Sequence, residues 1–151
     1  MRIMAIDYGD AHTGIAISDP TGLLAGFTTV INSRRQEVVV EQVALIAKEH
    51  GAEELVLGHP VNMDGTLGPR SEKAKAMKVL LEEATSLPVV LWDERRTTVS
   101  AAAILADNDT FGAKRKERLD SVSAAVILES FLNWRAHHPD EEPPELVRPD
   151  V

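Results

Sequence analysis

The stretch Met1-Arg2-Ile3-Met4-Ala5-Ile6-Asp7-Tyr8-Gly9-Asp10-Ala11-His12-Thr13-Gly14-Ile15-Ala16-Ile17-Ser18 sets two short apolar runs on either side of a polar, glycine-bearing turn. Met1–Asp7 reads as a strand with Ile3, Met4 and Ala5 buried, Tyr8–Thr13 as the turn, and Gly14–Ser18 as a second strand. Asp19-Pro20-Thr21-Gly22 is a further turn, because Pro fixes one φ and Gly accepts a positive one. Leu23–Ile31 then reads as a third strand. Strands joined this tightly predict an antiparallel meander.

Beyond it the pattern changes. In Gln36–His50 the apolar positions Val39, Val43, Ile46 and Ala47 have helical spacing, and Gly51 is placed to stop the helix. Glu54–His59 is a buried strand, Ser71–Ala84 a helix with Ala74, Met77, Leu80 and Leu81 inward, and Pro88–Asp93 another strand. Thr97–Ala106 and Leu119–Trp134 read as helices. A helix on each side of the Glu54–His59 strand implies parallel crossovers. The expected fold is α/β: a five-stranded mixed sheet flanked by helices. Residues 1–138 are expected to form one domain, and 139–151, rich in Pro and acid, a flexible tail.

A chain of 151 residues, 44% hydrophobic and 26% charged, can bury a sizeable core as a single domain. The absence of Cys excludes disulfides, Cys-ligated zinc and thiol nucleophiles. The N-terminal apolar run is too short for a signal peptide, and no stretch reaches the ~20 apolar residues of a membrane helix, so a soluble cytoplasmic protein is expected. A net charge of −8 argues against a protein that coats nucleic acid. Basic clusters nevertheless lie in the body, at Arg34-Arg35, Lys73/Lys75/Lys78, Arg95-Arg96 and Lys114-Arg115-Lys116, while acids crowd the end of the chain.

Four segments could carry chemistry. Asp7 ends the first strand, where a carboxylate is held rigidly yet stays reachable to a metal; the plainer role is a turn Asp bonding its own backbone. Gly9 allows close approach of a phosphate or of the neighbouring turn. Asp93-Glu94-Arg95-Arg96 closes the fifth strand with two acids and two guanidiniums. One acid could ligate metal while Arg95 and Arg96 hold phosphate, or the four could simply pair with one another. Neighbouring strand residues point to opposite faces, so one of Asp93 and Glu94 is expected to face a site. Asp120 suits a helix N-terminus by its charge alone, but Ser121, Ser123, Ala124 and Ala125 would let that helix lie close on the sheet and bring Asp120 to the strand ends. In the turn after the fourth strand, Asn62, Asp64 and Thr66 could touch substrate, and Lys116, read as part of a loop leading to Asp120, could contact phosphate. His59 and His12 are weaker candidates.

At these residues the chain resembles the YqgF/RuvX family, the Holliday-junction-resolvase-like proteins of the RNase H-like superfamily. The resemblance runs through Ala5-Ile6-Asp7-Tyr8-Gly9 with Gly14-Ile15-Ala16, Gly58-His59-Pro60 with Asn62-Met63-Asp64-Gly65-Thr66, Asp93-Glu94-Arg95 with Thr97-Thr98, and Lys116-Glu117-Arg118-Leu119-Asp120 with Ser123-Ala124-Ala125, over about residues 1–134. It implies an RNase H-like sheet of order 3-2-1-4-5 and nuclease activity, with 5′-end maturation of the 16S ribosomal RNA precursor as the role. It maps carboxylates to Asp7, Asp120 and the Asp93-Glu94 pair, of which Glu94 is favoured. One departure from wider superfamily practice is that the fourth strand ends in Gly58-His59 and not in an acid.

The mechanism then expected is two-metal hydrolysis with Mg²⁺ or Mn²⁺ held by Asp7, Glu94 and Asp120, and with Arg95, Arg96 and Lys116 positioning phosphates. The partner is nucleic acid, an RNA precursor ahead of a DNA junction, and the protein is a monomer or a homodimer. The rival readings are a Holliday junction resolvase, a non-catalytic nucleic-acid or ribosome-assembly module, and an ATP-dependent phosphotransferase. The last would need two such lobes.

Overall fold

A computed structural model of the chain describes residues 1–62, 64–96 and 112–144, the side chains of 112–120 excepted. The order of elements is β1 (Ile3–Asp7), β2 (His12–Ser18), β3 (Ala25–Asn32), α1 (Gln36–His50), β4 (Glu54–His59), α2 (Pro69–Thr85), β5 (Val89–Asp93), a single 3₁₀ turn (Glu94–Arg96) and α3 (Gly112–His137). The expected helix at Thr97–Ala106 lies outside the described residues. The five strands form one sheet of order β3-β2-β1-β4-β5. The first three pair antiparallel, while β4 is parallel to β1 and β5 parallel to β4, as the meander and the crossovers required.

The sheet is covered on both faces. Met4, Ile6, Ile15, Ile17, Leu55, Leu57 and Leu91 pack on one side against Val39, Val43 and Ala47 of α1 and Ala74, Met77 and Leu81 of α2. Ile3, Ala5, Ala16, Val56, Val90 and Trp92 pack on the other against Ala124, Ile127, Leu128, Phe131 and Leu132 of α3. Strand period two thus divides β1, β4 and β5 between the two cores, which is why their sequences are apolar throughout. Ile46 and Leu80, expected inward, are half-buried at the margins of the helix stripes.

Several boundaries move. The β2–β3 turn extends through Leu24, because Asp19 Oδ1 accepts from the amides of Leu23 and Leu24 at 3.3 and 3.5 Å, and the amide of Asp19 donates to the Leu24 carbonyl at 2.8 Å. Leu23 and Leu24 are consequently exposed, and β3 starts at Ala25. Helix α2 begins at Pro69, where proline at the first helical turn costs no hydrogen bond. Helix α3 begins at Gly112, well ahead of Leu119, because Ala113-Lys114-Arg115-Lys116-Glu117-Arg118-Leu119 are all good helix formers. Gly51 closes α1 in the left-handed conformation with φ 67°, as its position suggested.

Candidate active site

Ile3 and Ala5 face α3, so Asp7, the last residue of β1, continues that row, and it is half-buried. The β1–β4 pairing runs from Ile3 opposite Glu54 to Ile6 opposite Leu57, which sets Gly58 beside Asp7. Gly58 in turn pairs with Trp92 of β5. Asp7, Gly58 and Trp92 therefore form one row across the carboxyl ends of three parallel strands, with a gap at the glycine.

Glu94 fills that gap. A Cβ on Gly58 would lie 3.3 Å from both Cγ and Cδ of Glu94 and 2.8 Å from Ile127 Cδ1. The Glu94 side chain leaves the end of β5 and crosses back over the end of β4, between the sheet and α3. Strands are spaced by about 4.8 Å, so its carboxyl comes within roughly one strand spacing of the Asp7 position. This explains how a fourth strand ending in Gly-His can serve an acidic centre: the acid is supplied by the neighbouring strand, and the glycine makes room for it.

The turn bearing Glu94 is pinned to α3. Trp92 Nε1 donates to Ser130 Oγ at 3.1 Å, and that hydroxyl donates to the Arg96 carbonyl at 3.2 Å. The Trp92 ring meets Phe131 edge-on at 5.3 Å, and the Arg96 guanidinium lies 5.4 Å over the Trp92 ring. Burial pushes the Glu94 carboxyl above the usual range; the charge of Arg70 pulls it back, and that of Asp93 adds to the rise.

Asp93 is placed differently. Val89 and Leu91 belong to the α1/α2 core, so Asp93 faces the side of the sheet away from Asp7. Arg95 grips it: Nη2 donates to Oδ2 at 2.8 Å, and the Arg95 amide donates to Oδ1 at 2.9 Å. Burial alone would raise this carboxyl, but the Arg95 hydrogen bonds and charge outweigh it and hold Asp93 below the ordinary range. Arg95 is thereby committed to Asp93.

The remaining candidates divide. Asp120 and Lys116 lie on the α3 backbone, Asp120 seven residues before Ile127, and their side chains lie outside the described residues. Lys116 is therefore on a helix and not in the expected loop. Asn62, Asp64 and Thr66 bind one another: Thr66 Oγ1 donates to Asp64 Oδ1 at 2.6 Å and Asn62 Nδ2 donates to Thr66 Oγ1 at 2.9 Å, around Gly65 at φ 89°. His59 is buried with Nε2 2.5 Å from Ser71 Oγ and joins β4 to α2; His12 meets Asn32 Oδ1 at 2.6 Å. A Cβ on Gly9 would collide with the His12 carbonyl oxygen, so the neighbouring turn accounts for that glycine. Two cations that sequence reasoning passed over as site residues, Arg70 and Lys73, line a cleft with Tyr8, Gly9, Asp10, Gly58, Pro60 and Ala74. The signal for them was Pro69, which starts α2 and so sets both residues in its first turns.

Among the described residues no three His, Cys, Asp or Glu side chains form a ready metal cluster. What the structure gathers is a pair of oxygen donors, Asp7 and Glu94, on one face, with Glu94 occupying the side-chain space that Gly58 leaves between the strands. In a chain without Cys, this donor set suits hard divalent cations such as Mg²⁺ or Mn²⁺.

The sequence profile of the RuvX family, described as Holliday junction resolvase, matches residues 1–134. A protein of Halothermothrix orenii is 41% identical over 135 residues, covering 89% of this chain and 96% of its own length. One from Listeria monocytogenes serotype 4b is 43% identical over 135 residues, covering 88% and 98%. Both are named as candidate pre-16S rRNA nucleases. Among solved structures, Thermus thermophilus RuvC in complex with a Holliday junction substrate superposes with a TM-score of 0.61 at 12% identity, over 95% of this chain and 99% of that one. A second Thermus thermophilus RuvC structure gives a TM-score of 0.58 at 13% identity. The fold is thus RNase H-like, with the strand order the sequence resemblance implied.

Proposed function

Since this chain belongs to the RuvX Holliday junction resolvase family, we propose that it is a metal-dependent nuclease that hydrolyses phosphodiester bonds in the 5′-end maturation of the 16S rRNA precursor. The observation that carries the reading is the placement of Glu94 over Gly58, the residue that the β1–β4 register sets beside Asp7, at the carboxyl ends of the parallel strands, where ligands bind in open α/β sheets. The names of the relatives supply the substrate.

Asp7, Glu94 and Asp120 would hold the divalent metal, with Asp7 as the central ligand. When bound, the metal would supply activation of the attacking water and stabilisation of the leaving oxygen. The chain's own part is to hold these oxygens rigidly. Asp7 is fixed by sheet pairing, and Glu94 by the Trp92–Ser130–Arg96 anchor. Asp120 stands two helical turns before Ile127, on the helix that covers this face. Asp93 is the acid that does not ligate, because it faces the other side and neutralises Arg95. Few aromatic side chains are available for base stacking, so the substrate is recognised by shape and backbone.

The test is cleavage of a precursor 16S rRNA 5′-leader fragment beside a four-way DNA junction, each with Mn²⁺ and with EDTA. Metal-dependent cutting of the RNA alone is expected. Cutting of the junction alone would give the family's resolvase description the stronger claim, and no cutting of either by folded protein would leave a binding module. Asp7→Asn should fold normally and reduce cleavage to background; retained cleavage sinks the site assignment.

A further inference from the structure

The Arg70 cleft is not used by the carboxylate chemistry, yet it shares a wall with it. One side is the β1–β2 turn at Tyr8, Gly9 and Asp10, the other the first turns of α2 at Arg70, Lys73 and Ala74, and the floor is the end of β4 at Gly58 and Pro60. Gly58 is also the residue over which Glu94 lies, so the cleft and the acidic centre meet at one glycine. Arg70 is close enough for its charge to act on Glu94.

The chemistry of the cleft is that of an anion site. Both cationic heads are exposed, and Gly9, Gly58, Pro60 and Ala74 present little side-chain bulk beneath them. The acid of the cleft, Asp10, meets Lys73 Nζ at 3.3 Å, while the charge of Arg70 is felt by Glu94 at the cleft's edge. A guanidinium offers paired N–H donors in the geometry of phosphate oxygens. In a molecule of net charge −8, cations beside clustered carboxylates are where a polyanion can be held.

We propose that Arg70 and Lys73 bind a backbone phosphate of the substrate strand next to the one that is cut, and so set which bond reaches Asp7 and Glu94. The proposal rests on the nuclease reading. Its ligand is a phosphodiester of nucleic acid, and the contact carries no base preference.

Binding is measured without turnover: fluorescence anisotropy of a labelled 16S 5′-leader RNA fragment in EDTA, over a series of salt concentrations. The proteins are the full chain, Arg70→Ala, Lys73→Ala, Arg70→Lys, and Lys48→Ala as a control on the far end of α1. Arg70→Ala and Lys73→Ala should each weaken binding about tenfold and flatten the plot of log K against log salt by roughly 0.7, the increment for one single-strand phosphate. Arg70→Lys should restore the slope but not the whole affinity, and Lys48→Ala should match the parent. If the parent binds and cuts RNA while Arg70→Ala and Lys73→Ala keep its affinity and slope, this inference is overturned and the nuclease reading stands. A parent chain that neither binds nor cuts overturns both.

Discussion

Gly58 is the residue on which the geometry of the site turns. Alanine there must share space with Glu94 and Ile127, at the 3.3 and 2.8 Å separations that a Cβ would have. Ile127 can give at the tip of its side chain, and the Glu94 side chain must shift by a few tenths of an ångström. Gly58→Ala should therefore cost about 1–3 kcal/mol of stability, the usual range for overpacking. It should also lower kcat by more than that small loss explains; an unchanged kcat would mean that Glu94 is not poised by the glycine. The neighbouring acids make a second contrast. Glu94→Gln should remove metal-dependent cleavage, whereas Asp93→Asn should keep it, with thermal melts showing only the loss of the Arg95 tie; the reverse order would transfer the metal to Asp93. Asp7 and the acid pair were legible in the sequence because they end apolar runs. The choice within the pair was not legible from the apolar pattern, since Val90, Leu91 and Trp92 are apolar whichever way β5 faces; only the family resemblance favoured Glu94. The role of Gly58 was equally hidden, because a missing side chain says nothing until its occupant is seen.

Among the elements, β4 and α3 are joined at the end of the sheet opposite the site. Glu54 opens β4, and Arg135 Nη2 in the last turns of α3 donates to both its oxygens at 3.4 Å. Burial raises the Glu54 carboxyl more than Arg135 lowers it. The folded state thus holds this proton more tightly than the unfolded chain, so the contribution is most favourable at low pH and is lost as pH rises from the ordinary Glu range through the raised value. Glu54→Gln keeps an acceptor for Arg135 but has no proton to lose. Its unfolding free energy relative to the parent, from denaturant melts at pH 4 and pH 7, should improve toward pH 7. An advantage that shrinks with pH would show that Arg135 dominates. Most elements were legible from period and punctuation: α1 and β4 fall where their patterns put them, and Gly51 stops α1. Edges were less so, because tertiary bonds decide them. Asp19 takes Leu23 and Leu24 out of β3, and uninterrupted helix formers carry α3 back to Gly112.

At the scale of the whole molecule, the carboxyl ends of β1 and β5 bring acids together in a chain of net charge −8. If Asp7 and Glu94, both partly withdrawn from water, share a metal site, their repulsion without a cation costs stability. A divalent ion that binds only the folded state reverses this by RT ln(1 + [L]/Kd), about 2.7 kcal/mol at a hundredfold excess over Kd. For a chain of this length that is a rise of roughly 5–10 °C in Tm. Screening of the overall negative charge by any cation would also raise Tm, so the parent alone is not decisive. Glu94→Gln separates the two effects. Relieved of one charge, it should melt above the parent in EDTA, yet it should gain little from Mn²⁺ at an ionic strength matched with Na⁺, where the parent gains the full shift. Equal gains in parent and variant would assign the effect to bulk charge and show that Asp7 and Glu94, though neighbours, do not hold an ion together.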